Sequence, residues 1–322
     1  GSLLDQMRQT AFQGKNLALA VDIWAELLQD EAAIFLGLAG AMVPAGMKSL
    51  ISYLVENRMV DCLVSTGANL FHDCHESIGE RHYQGSETVD DLVLKDYGID
   101  RIYDIFASDW AFLHTDKFIA DFAASLGSRR LNTREFLYLL GERLCEEGRQ
   151  SGILTTAYES KVPIYCPAIS DSSIGIALAV ASANGRKVPQ LDVIDDIVES
   201  SRLVAGSETT GVIYIGGGTP KNFIQQAEVT APLIEKPVPG HSYAIQLTAD
   251  SPHWGGLSGC TLEEAQSWGK VAGKARKVTV YCDATISLPV IVHALVQQNE
   301  NLIGSRSVPE LQLEWPANES YA

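Results

Sequence analysis

Six short runs rich in β-branched and other apolar residues recur along the chain, at 32–40, 60–66, 162–169, 212–218, 243–249 and 278–286, each ending at a small or polar residue. Unbroken apolar runs of this length suit strands buried on both faces of a parallel sheet. Between them lie longer segments of helical character at 17–29, 47–57, 117–126, 133–148, 193–205, 220–229 and 288–298. The alternation predicts an α/β fold: a doubly wound, mostly parallel, Rossmann-like sheet with helices on both faces, built as one large domain over 1–322. No repeat, low-complexity tract or long linker interrupts it. The stretch 69–100 reads as a loop-rich excursion and 309–322 as a loosely packed tail, while Gly1-Ser2 reads as a cloning remnant.

Composition narrows the function class. A 46% hydrophobic content in 322 residues is ample for a core, and 24 basic against 40 acidic side chains give a formal charge of −16. That field repels nucleic acid and anionic membranes and favours cationic ligands such as polyamines. The six cysteines form no CxxC pair, which suits reduced thiols in a cytoplasmic protein. No run approaches the roughly 20 apolar residues of a membrane helix, and the start shows no basic-then-apolar signal pattern.

In doubly wound folds ligands bind beyond the carboxyl ends of the strands. Ser65-Thr66-Gly67-Ala68, Ser170-Asp171, Gly216-Gly217-Gly218, Thr248-Ala249-Asp250 and Asp283-Ala284 all follow strand-like runs. The triple glycine lacks GxGxxG spacing and by itself reads as a tight turn. Lys270 is the residue with the most chemical promise: Trp268 offers an apolar wall, and Gly269 lets the backbone bend. An amine attacks a carbonyl or imine only when neutral, which a free lysine at pH 7 is not. Thr261-x-x-Glu264 is a capping-box pattern. Trp268 and Lys270 would not share a helix face, so the lysine is expected where that helix ends. His72, Asp73, Cys74, His75 and His82 lack a standard zinc spacing and no metal is expected there, while His241 and His253 read as surface loop histidines.

Ser267-Trp268-Gly269-Lys270 resembles the active-site motif of deoxyhypusine synthases. The resemblance extends, in the family's order over nearly the whole chain, to the N-terminal Thr10-Ala-Phe-Gln-Gly-Lys-Asn segment, the Met59 to Gly67 block, Pro167-Ala-Ile-Ser-Asp171, Gly216-Gly217-Gly218 and Tyr281-Cys-Asp283-Ala284. It implies NAD as cofactor, held by Thr66, Gly67, Asp171, Gly217, Gly218, Thr248, Ala249, Asp283 and Ala284. It further implies Lys270 as the nucleophile that carries an aminobutyl group as an imine, with Glu264 and Trp268 lining a polyamine channel. The histidines of the 72–82 stretch would cap or border the nicotinamide pocket. A homotetramer with active sites shared between subunits is implied as well.

The chain also departs from that pattern. Asn222 stands where the family carries a histidine base, Ile176 replaces an aspartate, Gln246 a tyrosine, and Trp254 and Leu257 fall where acids are expected. Asp250 and His253 are candidate replacements that would contact the amine. The expectation is therefore NAD-dependent aminobutyl transfer between polyamines such as spermidine and putrescine, of the homospermidine-forming kind. Two alternatives stay open: modification of a lysine on a translation factor, and a catalytically silent NAD and polyamine scaffold.

Overall fold

The computed structural model describes residues 3–316, so Gly1-Ser2 and positions 317–322 of the expected tail lie outside the described residues. The six apolar runs supply the six strands of the main sheet: β1 (Ala33–Leu38), β2 (Cys62–Ser65), β3 (Ile164–Tyr165), β4 (Thr210–Ile215), β5 (His241–Thr248) and β6 (Val271–Tyr281). They lie in the order β6-β5-β4-β1-β2-β3, with every neighbouring pair parallel.

Alternate residues of each strand feed two separate cores. Ile34, Leu36, Leu38, Ile213 and Ile215 face one, while Ala33, Phe35, Val212 and Tyr214 face the other. Burial on both faces is why these strands read as continuous apolar runs. The chain winds outward from β1 through β2 to β3, then returns to lay β4 on the other side of β1. The helix after β1, Lys48–Glu56, packs its Ile51, Leu54 and Val55 into the first core; the helix after β4, Gly218–Ile234, packs Ile224, Ala227 and Ala231 into the second. The connections that follow these two neighbouring strands leave on opposite faces, opening a crevice between the carboxyl ends of β1 and β4.

Two boundaries differ from expectation. The last strand is not 278–286: it starts at Val271, where it pairs with His241, and stops at Tyr281 because Asp283 caps the helix Ala284–Gln298 through the Thr285 amide. The stretch 69–100 is not mainly loop either. Its first residues belong to the helix Gly67–Ser77, whose Asn69 amide is accepted by the Thr66 hydroxyl. Further on, Tyr83–Gln84 and Ile99–Ile102 flank Ile105–Ser108 in a small antiparallel sheet. The helices Ile153–Ser160 and Ser173–Ala183 were also not anticipated. Within the described part of 309–322, Trp315 packs against the Tyr138 ring, 4.6 Å between centroids, and beneath the Arg134 guanidinium.

Candidate active site

At the carboxyl edge the loops prolong the strand ladder. The Ala39 amide donates to the Ile215 carbonyl at 3.0 Å, Thr66 to Leu38 at 3.1 Å, Gly216 to Leu247 at 2.7 Å and Cys282 to Thr248 at 3.1 Å. These bonds hold the loops that carry Thr66, Gly67, Gly217, Gly218, Thr248, Ala249, Asp283 and Ala284 on one edge, and Asp171 follows β3 at the same end of the sheet. Thr66 donates its hydroxyl to the Gly40 carbonyl at 2.9 Å. A Cβ on Gly67 would stand 2.3 Å from the Ser172 hydroxyl, so the exposed Asp171 lies on a loop pressed against that turn. Asp283 accepts from both the amide and the hydroxyl of Thr285, which fixes the helix that Ala284 begins.

Four helices start on this edge, at Gly67, Ser173, Gly218 and Ala284. Their amino termini bring partial positive charge and free amide donors to the crevice. Gly216 and Gly218 adopt positive φ, and a Cβ on Gly218 would meet no heavy atom within 4 Å. That open cradle, at a helix start on the switch point, fits the pyrophosphate of a dinucleotide. Gly40, at φ +71 with equally open surroundings, completes the β1 side of the crevice. It escaped notice in the sequence, although a glycine closing the first apolar run was the available signal.

Lys270 lies elsewhere. The short helix Leu262–Ser267 is capped by Thr261, whose hydroxyl accepts from the Glu264 amide at 3.0 Å. The Glu264 carboxylate faces the Cys260 thiol, which is pushed up by burial first; the Lys221 charge acts against this and Glu264 adds to it. Trp268 closes the helix and Gly269, at φ +71, breaks it. Past that break the Lys270 amine folds back over the Trp268 ring, 5.3 Å from its centroid. The helix end thus removes the two-residue helical offset that would have kept them apart. The Lys270 carbonyl accepts from the His241 amide at 3.1 Å, which ties its backbone to the amino-terminal start of β5. From His241 to Thr248 the strand rises about 23 Å at roughly 3.3 Å per residue. The Lys270 backbone thus sits at the opposite end of β5 from the carboxyl edge, while the Lys270 and Glu264 charges both act on Lys221 in the helix that follows the glycine turn.

The connection 249–261 bridges the two. A Cβ on Gly217 would stand 2.4 Å from the Ser258 Cα, so this loop lies directly on the glycine turn. Gln246 donates its amide to the carbonyls of Gly216 at 2.9 Å and Ser258 at 2.8 Å. Lys221, fully buried, donates to Gln246 Oε1 at 3.0 Å and to the carbonyls of Leu257 at 3.2 Å and Cys260 at 2.5 Å. Burial pulls this lysine down to about 8; the Cys260 and Glu264 charges oppose that, and Lys270 reinforces it. Sequence reasoning passed over Lys221 as an ordinary lysine. Asp250 and His253 sit on the outer part of the loop, Asp250 accepting from the Ser251 amide and His253 bonded to the Ser251 hydroxyl and packed on the exposed Trp254.

Residues 2–295 match the family profile of deoxyhypusine synthase. The chain is 51% identical over 316 residues to a Methanosarcina mazei protein named probable deoxyhypusine synthase 2, covering 98% of this chain and 91% of that one. The chain belongs to the deoxyhypusine synthase family. Members of this family are transferases of aminobutyl groups. An Archaeoglobus fulgidus deoxyhypusine synthase relative, also named probable deoxyhypusine synthase 2, is 54% identical over 291 residues, covering 90% of this chain and 96% of its own. In fold, the chain is similar to a crystal structure from Entamoeba histolytica described as a putative deoxyhypusine synthase, with TM-score 0.63 and 17% identity over 94% of this chain and 93% of that one.

In this deoxyhypusine synthase family member His72 and His82 join Glu76 and Lys48 in a largely buried row. His72 Nδ1 meets His82 Nε2 at 2.9 Å, His82 Nδ1 meets Glu76 at 2.8 Å, and Lys48 pairs with Glu76 at 2.6 Å. Among the described residues no cluster of histidine, cysteine or carboxylate side chains has metal-holding geometry. His241 is not a surface residue: it is buried and bonded through Nδ1 to the Thr210 hydroxyl at 2.8 Å, because it begins a central strand. Among the described residues no helix is long and apolar enough to cross a membrane.

Proposed function

We propose that this chain is an NAD-dependent aminobutyl transferase that works between small amines, with spermidine or putrescine as donor and homospermidine as product. The observation that carries the reading is the Lys270 amine held over the Trp268 ring, on a segment that follows the loop seated on the glycine turn. Thr66, Gly67, Asp171, Gly217, Gly218, Thr248, Ala249, Asp283 and Ala284 would hold the cofactor. When bound, NAD supplies the acceptor, and later the donor, of a hydride.

Lys270, as the neutral amine, adds to the oxidised donor carbon. The bond from that carbon to the departing amine then breaks, that amine leaves with its proton, and an imine remains on Lys270. The acceptor amine adds to this imine and Lys270 leaves as the free amine, so the lysine is neither consumed nor left modified. Glu264 attracts the cationic end of the amine, and Trp268 packs on its methylenes. Asn222 cannot accept a proton at pH 7 as the family's histidine would, which favours a free amine over a protein lysine as acceptor. Active sites shared between subunits of a homotetramer belong to this reading through the family resemblance, and the six free cysteines suit the cytoplasm.

The test is to incubate the protein with NAD and spermidine or putrescine, trap with borohydride and map the adduct by mass spectrometry. An aminobutyl group on Lys270, lost together with turnover in Lys270→Ala, is the expected result. Turnover that survives in Lys270→Ala would sink the mechanism. The names of the relatives motivate a second reading, with a translation-factor lysine as acceptor; activity on that protein and none on free diamines would favour it. Binding of NAD and amine with no product would instead mark a silent scaffold.

A further inference from the structure

The carboxyl-edge crevice and the Lys270 cluster are joined by one pair of side chains, Lys221 and Gln246. Lys221 stands in the first turn of the helix that the glycine turn begins, and its Nζ has no solvent exposure. All three of its N–H donors are directed at acceptors, Gln246 Oε1 and the Leu257 and Cys260 carbonyls. Gln246 in turn donates to Gly216 on the cofactor side and to Ser258 on the loop. The loop these bonds hold leads directly into Thr261 and Glu264, and its Ser258 Cα covers Gly217. Ser258 is therefore one wall of any site at Gly217 and Gly218, and a ligand that presses on it moves the loop that carries Cys260 and leads to Glu264. The Tyr214 ring lies 5.9 Å from the Lys221 amine, and the charges of Cys260, Glu264 and Lys270 act on it.

We propose that Lys221 and Gln246 are positioning residues that couple cofactor binding at the glycine turn to amine binding beside Lys270. This rests on the function proposed above, since it takes the glycine turn as the cofactor site and the Glu264 to Lys270 segment as the amine site. Neither side chain is assigned to the reacting atoms. Their role is to make the two binding events one, so that the amine segment is set only when the cofactor edge is filled.

Calorimetry tests this on the intact protein. NAD affinity is measured with and without saturating spermidine, in the wild type and in Lys221→Met, Lys221→Arg and Gln246→Leu. The expected wild-type result is that each ligand tightens the other by roughly fivefold or more. In Lys221→Met and Gln246→Leu each ligand alone binds within about threefold of wild type, while the mutual effect falls to below about twofold. Lys221→Arg, which keeps a buried multi-donor cation, regains at least part of it. Gln246→Leu provides the same reading if Lys221→Met does not fold. The proposal is overturned if the wild type shows no mutual effect or if both variants keep it. Mutual tightening in a wild type that forms no Lys270 adduct would overturn the transferase reading and leave the coupling standing.

Discussion

Replacing Gly217 by alanine isolates the contact between the glycine turn and the loop that covers it. The new Cβ would stand 2.4 Å from the Ser258 Cα and 3.0 Å from its side chain, against an ordinary contact of 3.4 Å or more. The backbone of the loop would have to retreat by about 1 Å, and overpacking of this kind costs roughly 1–3 kcal/mol. The same retreat stretches the bond from Gln246 to the Ser258 carbonyl, now 2.8 Å, and the bond from Lys221 to Leu257, already 3.2 Å. Each is worth about 1 kcal/mol, so the total cost is about 3–5 kcal/mol. Gly218→Ala is the control: its Cβ meets nothing, and only the positive φ of +56 opposes it, at roughly 1–2 kcal/mol. Urea unfolding gives the two stabilities, and hydrogen exchange of the 257–260 amides reports the loop. If Gly217→Ala unfolds within about 0.5 kcal/mol of the wild type and leaves those amides equally protected, the described seating of the loop on the glycine turn is wrong.

Other outcomes follow from separate parts of the molecule. Trp268→Ala should raise the KM for the amine two- to fivefold, since an exposed cation–π contact is worth about 0.5–1 kcal/mol, and Trp268→Phe should fall between; an unchanged KM would remove the ring from amine binding. Arg306→Ala should cost about 3–5 kcal/mol in urea unfolding, because it strips the fully buried Asp61 of two bonds at 2.9 and 2.7 Å; a loss below about 1 kcal/mol would contradict this. Burial first, then the charge of His82, hold His72 down to about 3 and His75 down to about 4. Both are neutral in the fold, whereas the unfolded chain binds protons below about 6.5, so stability falls as pH drops through 6.5 toward 4. By pH 5 the loss should reach roughly 2 kcal/mol per histidine, and His75→Gln should show a shallower decline; an identical slope in that variant refutes the assignment.

Much of the sheet was legible because its strands are buried on both faces and therefore carry no polar interruptions. The seven longer helices were legible from their periodicity for a similar reason. The helix Gly67–Ser77 was not, because its inward face is polar: Asn69 accepts from the Met42 and Val43 amides, and Asp73 accepts from Ile153 and Leu154. Those partners are distant in sequence, so the segment shows no apolar stripe. The start of β6 was hidden likewise, since 272–277 is polar and the strand pairs irregularly with β5 there. At the candidate site, the carboxyl-edge loops and the break before Lys270 could be read from glycines and small residues. The burial of Lys221 could not, since its acceptors lie 25 to 39 positions away and a lysine in a helix is ordinarily solvated.

Every candidate amine-facing residue, from Asp250 through Glu264 and Trp268 to Lys270, belongs to the single connection between β5 and β6, whereas the cofactor edge is assembled from loops after five different strands. On the proposed function, one side of the chemistry is encoded as a contiguous cassette and the other is dispersed through the gene. Recombination or drift confined to that cassette changes what the lysine is offered while the dispersed edge stays intact. On the same reading, a lineage with this layout can shift its amine repertoire by editing one short stretch, and chimaeras that exchange residues 250–270 between relatives become a compact way to map amine preference.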